Sequence, residues 1–288
     1  MKKFKIISLV FIILFLTSGC FKRDTLEGIE IVTTVYPIEF VTNYLYGEHS
    51  IVISIYPDGT DTTKYKLTTK QTEDFSKKSL FIYNGLSNDK DLARTFLKNN
   101  KNMLIIDSSY GMETTYGIEE IWLNPSHLLM MSQNIRNGLK EYVKNSYLQK
   151  EIDKSYENLK LKLSELDAEI KLTAENASRK TIVVNNDSLR YLEKYGFTVI
   201  SLDDSKEPVS DKVIDEVKGM VNKGTVKHLI MLENTETSPA WDKVLKDTNV
   251  STFIFRKLDN IKEEERDNKD TYIDIMNDNI DMLKNELY

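Results

Sequence analysis

QKEIDKSYENLKLKLSELDAEIKLTAE, residues 149–175, is the stretch that decides the architecture. Its apolar positions are Ile152, Tyr156, Leu159, Leu163, Leu166 and Ile170. Their spacing alternates four and three, which is one stripe of an amphipathic helix, and charged residues fill the remaining faces. No Gly or Pro interrupts it, so a single long helix is expected. On either side, short β-branched runs alternate with helical patterns. Before it, 29–37, 50–57, 79–85 and 102–108 read as strands, separated by helices at 38–47, 68–77 and 88–98. After it, 181–186, 198–203, 226–233 and 252–259 read as strands, with helices at 187–195, 211–223, 240–247 and 270–287. Strands alternating with helices argue for parallel sheets. The expected fold is α/β: two βα lobes with parallel four-stranded sheets, joined by one long spine helix. The lobes are placed at 29–142 and 179–288, with the spine at 143–178. In such folds ligands bind at the carboxyl ends of strands, here between the lobes.

The chain has 288 residues, 40% hydrophobic and 29% charged, with a formal net charge of -6. That composition supports a packed core and is unlike a disordered chain. No basic block is present, so a nucleic-acid partner is not expected. The N-terminus differs from the rest. Lys2, Lys3 and Lys5 precede the apolar run 6–16, which is too short to span a membrane and suits a signal peptide. It ends at Leu16-Thr17-Ser18-Gly19-Cys20, and Cys20 is the only cysteine. Small residues before a lone cysteine at this place point to lipoprotein processing. Residues 1–19 would be removed, Cys20 acylated, and 20–28 left as a tether to the outer face of the cell membrane. A single cysteine rules out a disulfide framework and thiolate metal sites.

Several motifs recur in a recognisable order. They are Thr33-Thr34-Val35-Tyr36-Pro37-Ile38, Tyr56-Pro57-Asp58-Gly59-Thr60-Asp61, Phe81-Ile82-Tyr83-Asn84-Gly85-Leu86 and Ile121-Trp122-Leu123-Asn124-Pro125. Farther on come Val183-Val184-Asn185-Asn186-Asp187, Tyr191-Leu192-Glu193-Lys194-Tyr195-Gly196, Met231-Leu232-Glu233 and a closing helix from Tyr272 to Asn279. Over the whole mature chain this order resembles the cluster A-I solute-binding lipoproteins, the zinc and manganese receptors of ABC importers. The resemblance implies a two-lobed monomer that captures a divalent cation between its lobes and docks on an ABC permease. It also implies only a small closing motion about the spine.

The ligand set departs from the resemblance. That family holds its metal with four positions, two from each lobe. Carried over residue by residue, they fall on Thr63, Glu120, Asn186 and Asp259. Of these, Asp259 alone carries a residue the family uses there. The three histidines, His49, His127 and His228, stand at none of the positions and read as surface or locally satisfied imidazoles. Glu120, Asn186, Asp259 and Thr63 make an all-oxygen set that suits manganese, magnesium or calcium better than zinc. A second reading is also open. Lys64, next to the lost first ligand, could place its ammonium between Glu120 and Asp259 where the cation would sit, relieving the repulsion between two cleft carboxylates. The alternative is that Lys64 faces solvent.

Trp122 and Tyr65 fall on scaffold positions and are expected to pack. Glu263-Glu264-Glu265 reads as a solvated turn. No Gly-rich phosphate loop, nucleophile elbow or His-Glu-x-x-His motif is present, so no enzyme is expected. Two functions remain. One is the solute-binding lipoprotein of a metal-ion ABC importer. The other is a surface lipoprotein that kept the fold, lost metal binding, and binds a protein or a non-metal solute.

Overall fold

The computed structural model describes residues 27–113 and 120–288. The leader, Cys20 and most of the tether lie outside the described residues. The first sheet is built from β1 (Ile29–Thr33), β2 (Ser50–Ser54), β3 (Leu80–Tyr83) and β4 (Leu104–Asp107), in the order β2-β1-β3-β4. The second repeats that order as β6-β5-β7-β8, from β5 (Thr181–Val184), β6 (Thr198–Ser201), β7 (His228–Leu232) and β8 (Ser251–Phe255). All pairings are parallel, with Thr33 opposite Ser54 and Ile82, and Val184 opposite Ser201 and Ile230. Helices cover these sheets, which is why the central strands are apolar on both faces. In each sheet the strand order reverses beside the first strand, which is the switch point where open α/β sheets place ligands, beyond the carboxyl ends of the strands.

Among the described residues, four α-helices precede the spine: α1 (Tyr36–Tyr46), α2 (Thr69–Ser76), α3 (Asp89–Asn99) and α4 (Pro125–Tyr142). The spine, α5, runs Ser146–Asn176. It starts where the Asn145 side chain accepts hydrogen bonds from the amides of Tyr147 and Leu148, satisfying donors that a helix start leaves orphaned. Every residue of the quoted stripe is buried. The stripe joins one apolar cluster that extends from Ile31 in the first sheet to Ile182 and Ile230 in the second. Asp167 of α5 also ties both lobes to the spine: it accepts from Ser126 Oγ at 2.7 Å, Tyr195 Oη at 2.8 Å and Lys194 Nζ at 2.9 Å.

The second lobe adds α6 (Asp211–Asn222), α7 (Pro239–Thr248), α8 (Glu263–Asn268) and α9 (Tyr272–Leu287). Several expected elements end early. The first strand stops at Thr33, because Pro37 sits in the first turn of α1 and favours helix there. The expected helix at 187–195 is a 3₁₀ segment, Asp187–Tyr195, closed by Gly196 with φ 97°. The last strand ends at Phe255 rather than at residue 259. Of the glutamates 263–265, expected as a solvated turn, Glu263 and Glu264 are exposed, but the segment is helical. The three form the first turn of α8, where acidic groups meet the positive end of the helix dipole. Glu265 also pairs with Arg256 and accepts from the Lys262 amide at 2.9 Å.

Candidate functional site

After β8 the chain leaves the second lobe and crosses to the first. Leu258, fully buried, adopts φ 57°. A branched apolar residue in the left-handed region costs about 1–2 kcal/mol, so its surroundings must impose it. The turn at Leu258 brings the tips of Lys257 and Asp259 together. Lys257 Nζ lies 3.2 Å from Asp259 Oδ2 and 3.3 Å from Glu120 Oε1. Lys257 is 4% exposed and Asp259 3%. Two further hydroxyls complete the cluster. Thr62 Oγ1 donates to Asp259 Oδ2, and Ser188 Oγ donates to Glu120 Oε2 at 3.1 Å. Burial works against a charged amine, but Asp259 and Glu120 outweigh it and hold the Lys257 ammonium above the ordinary lysine range. Two formal negative charges thus meet one positive charge at the lobe interface.

The backbone of the same segment is held as tightly. Trp122, 3% exposed, donates its indole N–H to the Lys257 carbonyl at 2.9 Å, and Tyr272 Oη donates to the Trp122 carbonyl at 2.6 Å. The Tyr36 amide donates to the Asp259 carbonyl at 3.0 Å. Trp122 is therefore scaffold, as its sequence position suggested. Tyr65 packs edge-on against Tyr56 and accepts from Gln71 Nε2 at 2.7 Å.

Of the sequence-derived site residues, the structure brings Glu120 and Asp259 to one place. It does not bring Thr63 or Lys64 there. The Asp61 carboxylate accepts from the Thr63 amide and hydroxyl at 3.0 and 2.6 Å, and this local turn faces Thr63 outward. Lys64 follows it to the surface, 80% exposed, and pairs with Asp61 at 3.0 Å. The proposed role for Lys64 is thus corrected: the cation between the carboxylates is Lys257. Thr62, one residue before Thr63, is the threonine that reaches Asp259. Asn186 caps the 3₁₀ segment by accepting from the Ser188 amide at 2.8 Å, and Ser188 makes the contact to Glu120. Cys20 lies outside the described residues.

The histidines stand apart from this cluster. His228 Nδ1 is 2.9 Å from Glu286 Oε2. His49 lies in the 3₁₀ turn after α1 and packs against Tyr46. Burial, and the nearby Lys194, hold the His127 ring below the ordinary imidazole range. Among the described residues, no group of three His, Cys, Asp or Glu side chains is placed to hold a metal ion. A divalent ion binding both carboxylates at about 2.0–2.2 Å would need the space in which the Lys257 ammonium stands. The donors fit a bound alkylammonium and do not fit a divalent cation beside it.

Paired parallel sheets with a buried polar cluster between them define a two-lobed solute-binding protein. Residues 31–286 match the family model described as ZnuA, zinc-uptake complex component A, periplasmic, and the chain belongs to that family. It is 24% identical, over 91% of its length and 88% of theirs, to the high-affinity zinc uptake system protein ZnuA of Bacillus subtilis. It is 23% identical to the manganese ABC transporter substrate-binding lipoprotein PsaA of Streptococcus pneumoniae, over 96% of this chain and 94% of that one. Of the longer zinc-binding protein AdcA of Streptococcus pyogenes it spans 57%. The crystal structure of the Zn(II)-bound ZnuA-like domain of Streptococcus pneumoniae AdcA superposes with a TM-score of 0.73 at 21% identity, covering 90% of this chain and 99% of that one. Of these relatives, PsaA is a manganese ABC transporter substrate-binding lipoprotein, ZnuA a zinc uptake system protein and AdcA a zinc-binding protein. No helix among the described residues is long and apolar enough to cross a membrane.

Proposed function

We propose that this chain is an extracytoplasmic, lipid-anchored member of the family whose cleft is filled by its own Lys257 in place of captured zinc or manganese. Its leader would be 1–19 and its tether 20–28, with Cys20 acylated. The protein would act by presenting a closed two-lobed surface to a protein partner at the membrane. The observation that carries this reading is the Lys257 ammonium between Glu120 and Asp259. The internal ammonium offsets one of the two carboxylate charges and stands where cargo would bind, and the oxygen set lacks the imidazoles that select zinc.

A second reading keeps metal import. It is favoured by the retained acidic pair and by the zinc and manganese roles of the named relatives. In it Lys257 swings out and Glu120, Asp259, Asn186 and Thr63 or Thr62 offer oxygen to a divalent cation, manganese or a harder ion. The test is elemental analysis of the protein purified without chelator, followed by calorimetric titration with zinc, manganese and calcium. The expected result is no stoichiometric metal and no saturable heat. One equivalent of a transition metal would establish the second reading instead.

A further inference from the structure

The segment that carries Lys257 continues into the other lobe and fastens there again. Asn260 Nδ2 donates to the carbonyls of Pro57 and Thr60 at 2.7 and 2.9 Å. Six residues on, in α8, the Arg266 guanidinium forks onto two carboxylates of the first lobe. It reaches Glu39 Oε1 and Oε2 at 2.7 and 3.2 Å, and Asp58 Oδ2 and Oδ1 at 2.6 and 2.8 Å. Glu39 is 6% exposed and lies in the first turn of α1. Without the guanidinium it would be an unpaired carboxylate in a nearly dry position, so this clasp differs from an ordinary surface pair.

Resting on the reading that Lys257 fills the cleft, we infer that residues 257–266 form a lobe latch that holds the two lobes closed without any captured ligand. Lys257 fastens the cleft floor to Glu120. Asn260 fastens the backbone at Pro57 and Thr60. Arg266 fastens a second point on Glu39 and Asp58. In a receptor closed by its cargo, interlobe attraction is supplied when cargo arrives, since a ligand shifts an equilibrium only through contacts it makes differently in the two states. Here the chain supplies those contacts itself. The closed state that a partner recognises would therefore be present whether or not ions are present.

Hydrogen exchange and small-angle scattering on the full chain in chelator test this. Arg266→Gln is the main variant, Asp58→Asn a milder one, and Arg266→Lys the conservative control. The unmodified chain should show the same radius of gyration and the same protection over 256–266 with chelator, zinc or manganese. Arg266→Gln should raise exchange in that segment by about tenfold and enlarge the radius, as expected for loss of a bidentate, partly buried pair. Asp58→Asn should do so more weakly, and α4–α5 should stay protected in both. An unmodified chain that compacts only when metal is added overturns the latch, as does an Arg266→Gln chain that behaves like it. Metal content measured on the same samples separates the two proposals. A chain that proves metal-loaded sinks the metal-free reading, and if it stays compact once stripped in chelator and opens in Arg266→Gln, the Asn260 and Arg266 fastenings of the latch stand without it. A metal-free chain that is unmoved by Arg266→Gln does the reverse.

Discussion

Replacing Lys257 with Met keeps most of the apolar stem and deletes the ammonium, and its consequences follow from the distances. Each ammonium–carboxylate contact, at 3.2 and 3.3 Å, is worth roughly 5 kcal/mol of gross attraction at an effective dielectric of about 20, before desolvation is subtracted. Net losses on removing one partner of a buried pair run at about 3–5 kcal/mol, because the other charge is left behind unpaired. Two carboxylates would remain here and would repel each other. Glu120 retains 22% side-chain exposure and can turn toward water, which places the expected loss at the lower end, about 3 kcal/mol. For a chain of this size that corresponds to a fall of roughly 6–12 °C in melting temperature. Adding Glu120→Gln to Lys257→Met should recover part of the loss, since the two residues share one network and their effects cannot add. The vacated carboxylates should also acquire an ion response. Manganese or calcium at about 100 times its Kd would restore about 2.7 kcal/mol to the variant and nothing to the unmodified chain. Differential scanning fluorimetry with an ion panel reads both effects. The reasoning is refuted if Lys257→Met melts within a degree or so of the unmodified chain, or if the unmodified chain gains the same ion stabilisation.

Two further outcomes rest on groups outside the cleft. Glu286, 1% exposed, accepts from the Lys227 amide at 2.9 Å and sits 2.9 Å from His228 Nδ1. Glu286→Ala should cost about 1–3 kcal/mol in urea unfolding by stranding both groups, and a cost near zero would show that water replaces the carboxylate. Burial alone would raise the Glu233 pKa, but Arg256 and Lys262 outweigh it and hold the carboxyl below its ordinary 4.5. A depressed folded pKa means stability that is present above 4.5 and lost as pH falls through the folded value. Urea midpoints measured from neutral pH downward should therefore fall more steeply below 4.5 in the unmodified chain than in Glu233→Gln; parallel curves would remove Glu233 from the acid transition.

Much of the fold was legible because its signals are local. The alternation of four and three from Ile152 to Ile170 is a property of one helix, and the observed α5, Ser146–Asn176, contains the quoted stretch 149–175 and lies within the expected spine at 143–178. Strand positions followed from β-branched runs, and the errors concern their ends. There a proline in the first turn of α1, or the 3₁₀ winding after Asn186, decides the outcome. The site was legible in part. Glu120 and Asp259 were placed by motif, and both reach the cluster. Thr63 was one residue off, because counting along a loop cannot show that Asp61 binds Thr63 back on itself and leaves Thr62 facing in.

Lys257 was the residue that local reading could not reach. In sequence it is a lysine beside Arg256 after an apolar strand, and such lysines generally point to water. Its burial arises from a long-range event: the chain leaves β8, turns at the left-handed Leu258, and presses its next residues against the other lobe. The need for a cation, however, was visible. Two carboxylates from different lobes cannot share a dry cleft unless something positive lies between them. That requirement pointed to a lysine and left its address undetermined. Lys64 met it by proximity in the chain, whereas Lys257 meets it by proximity in space. The same electrostatics explain why the family's scaffold survives here beside an altered ligand set. On the proposed reading, an ammonium on a tether offsets one of the two carboxylate charges without leaving the protein, and closure of the lobes would not wait for a captured ion.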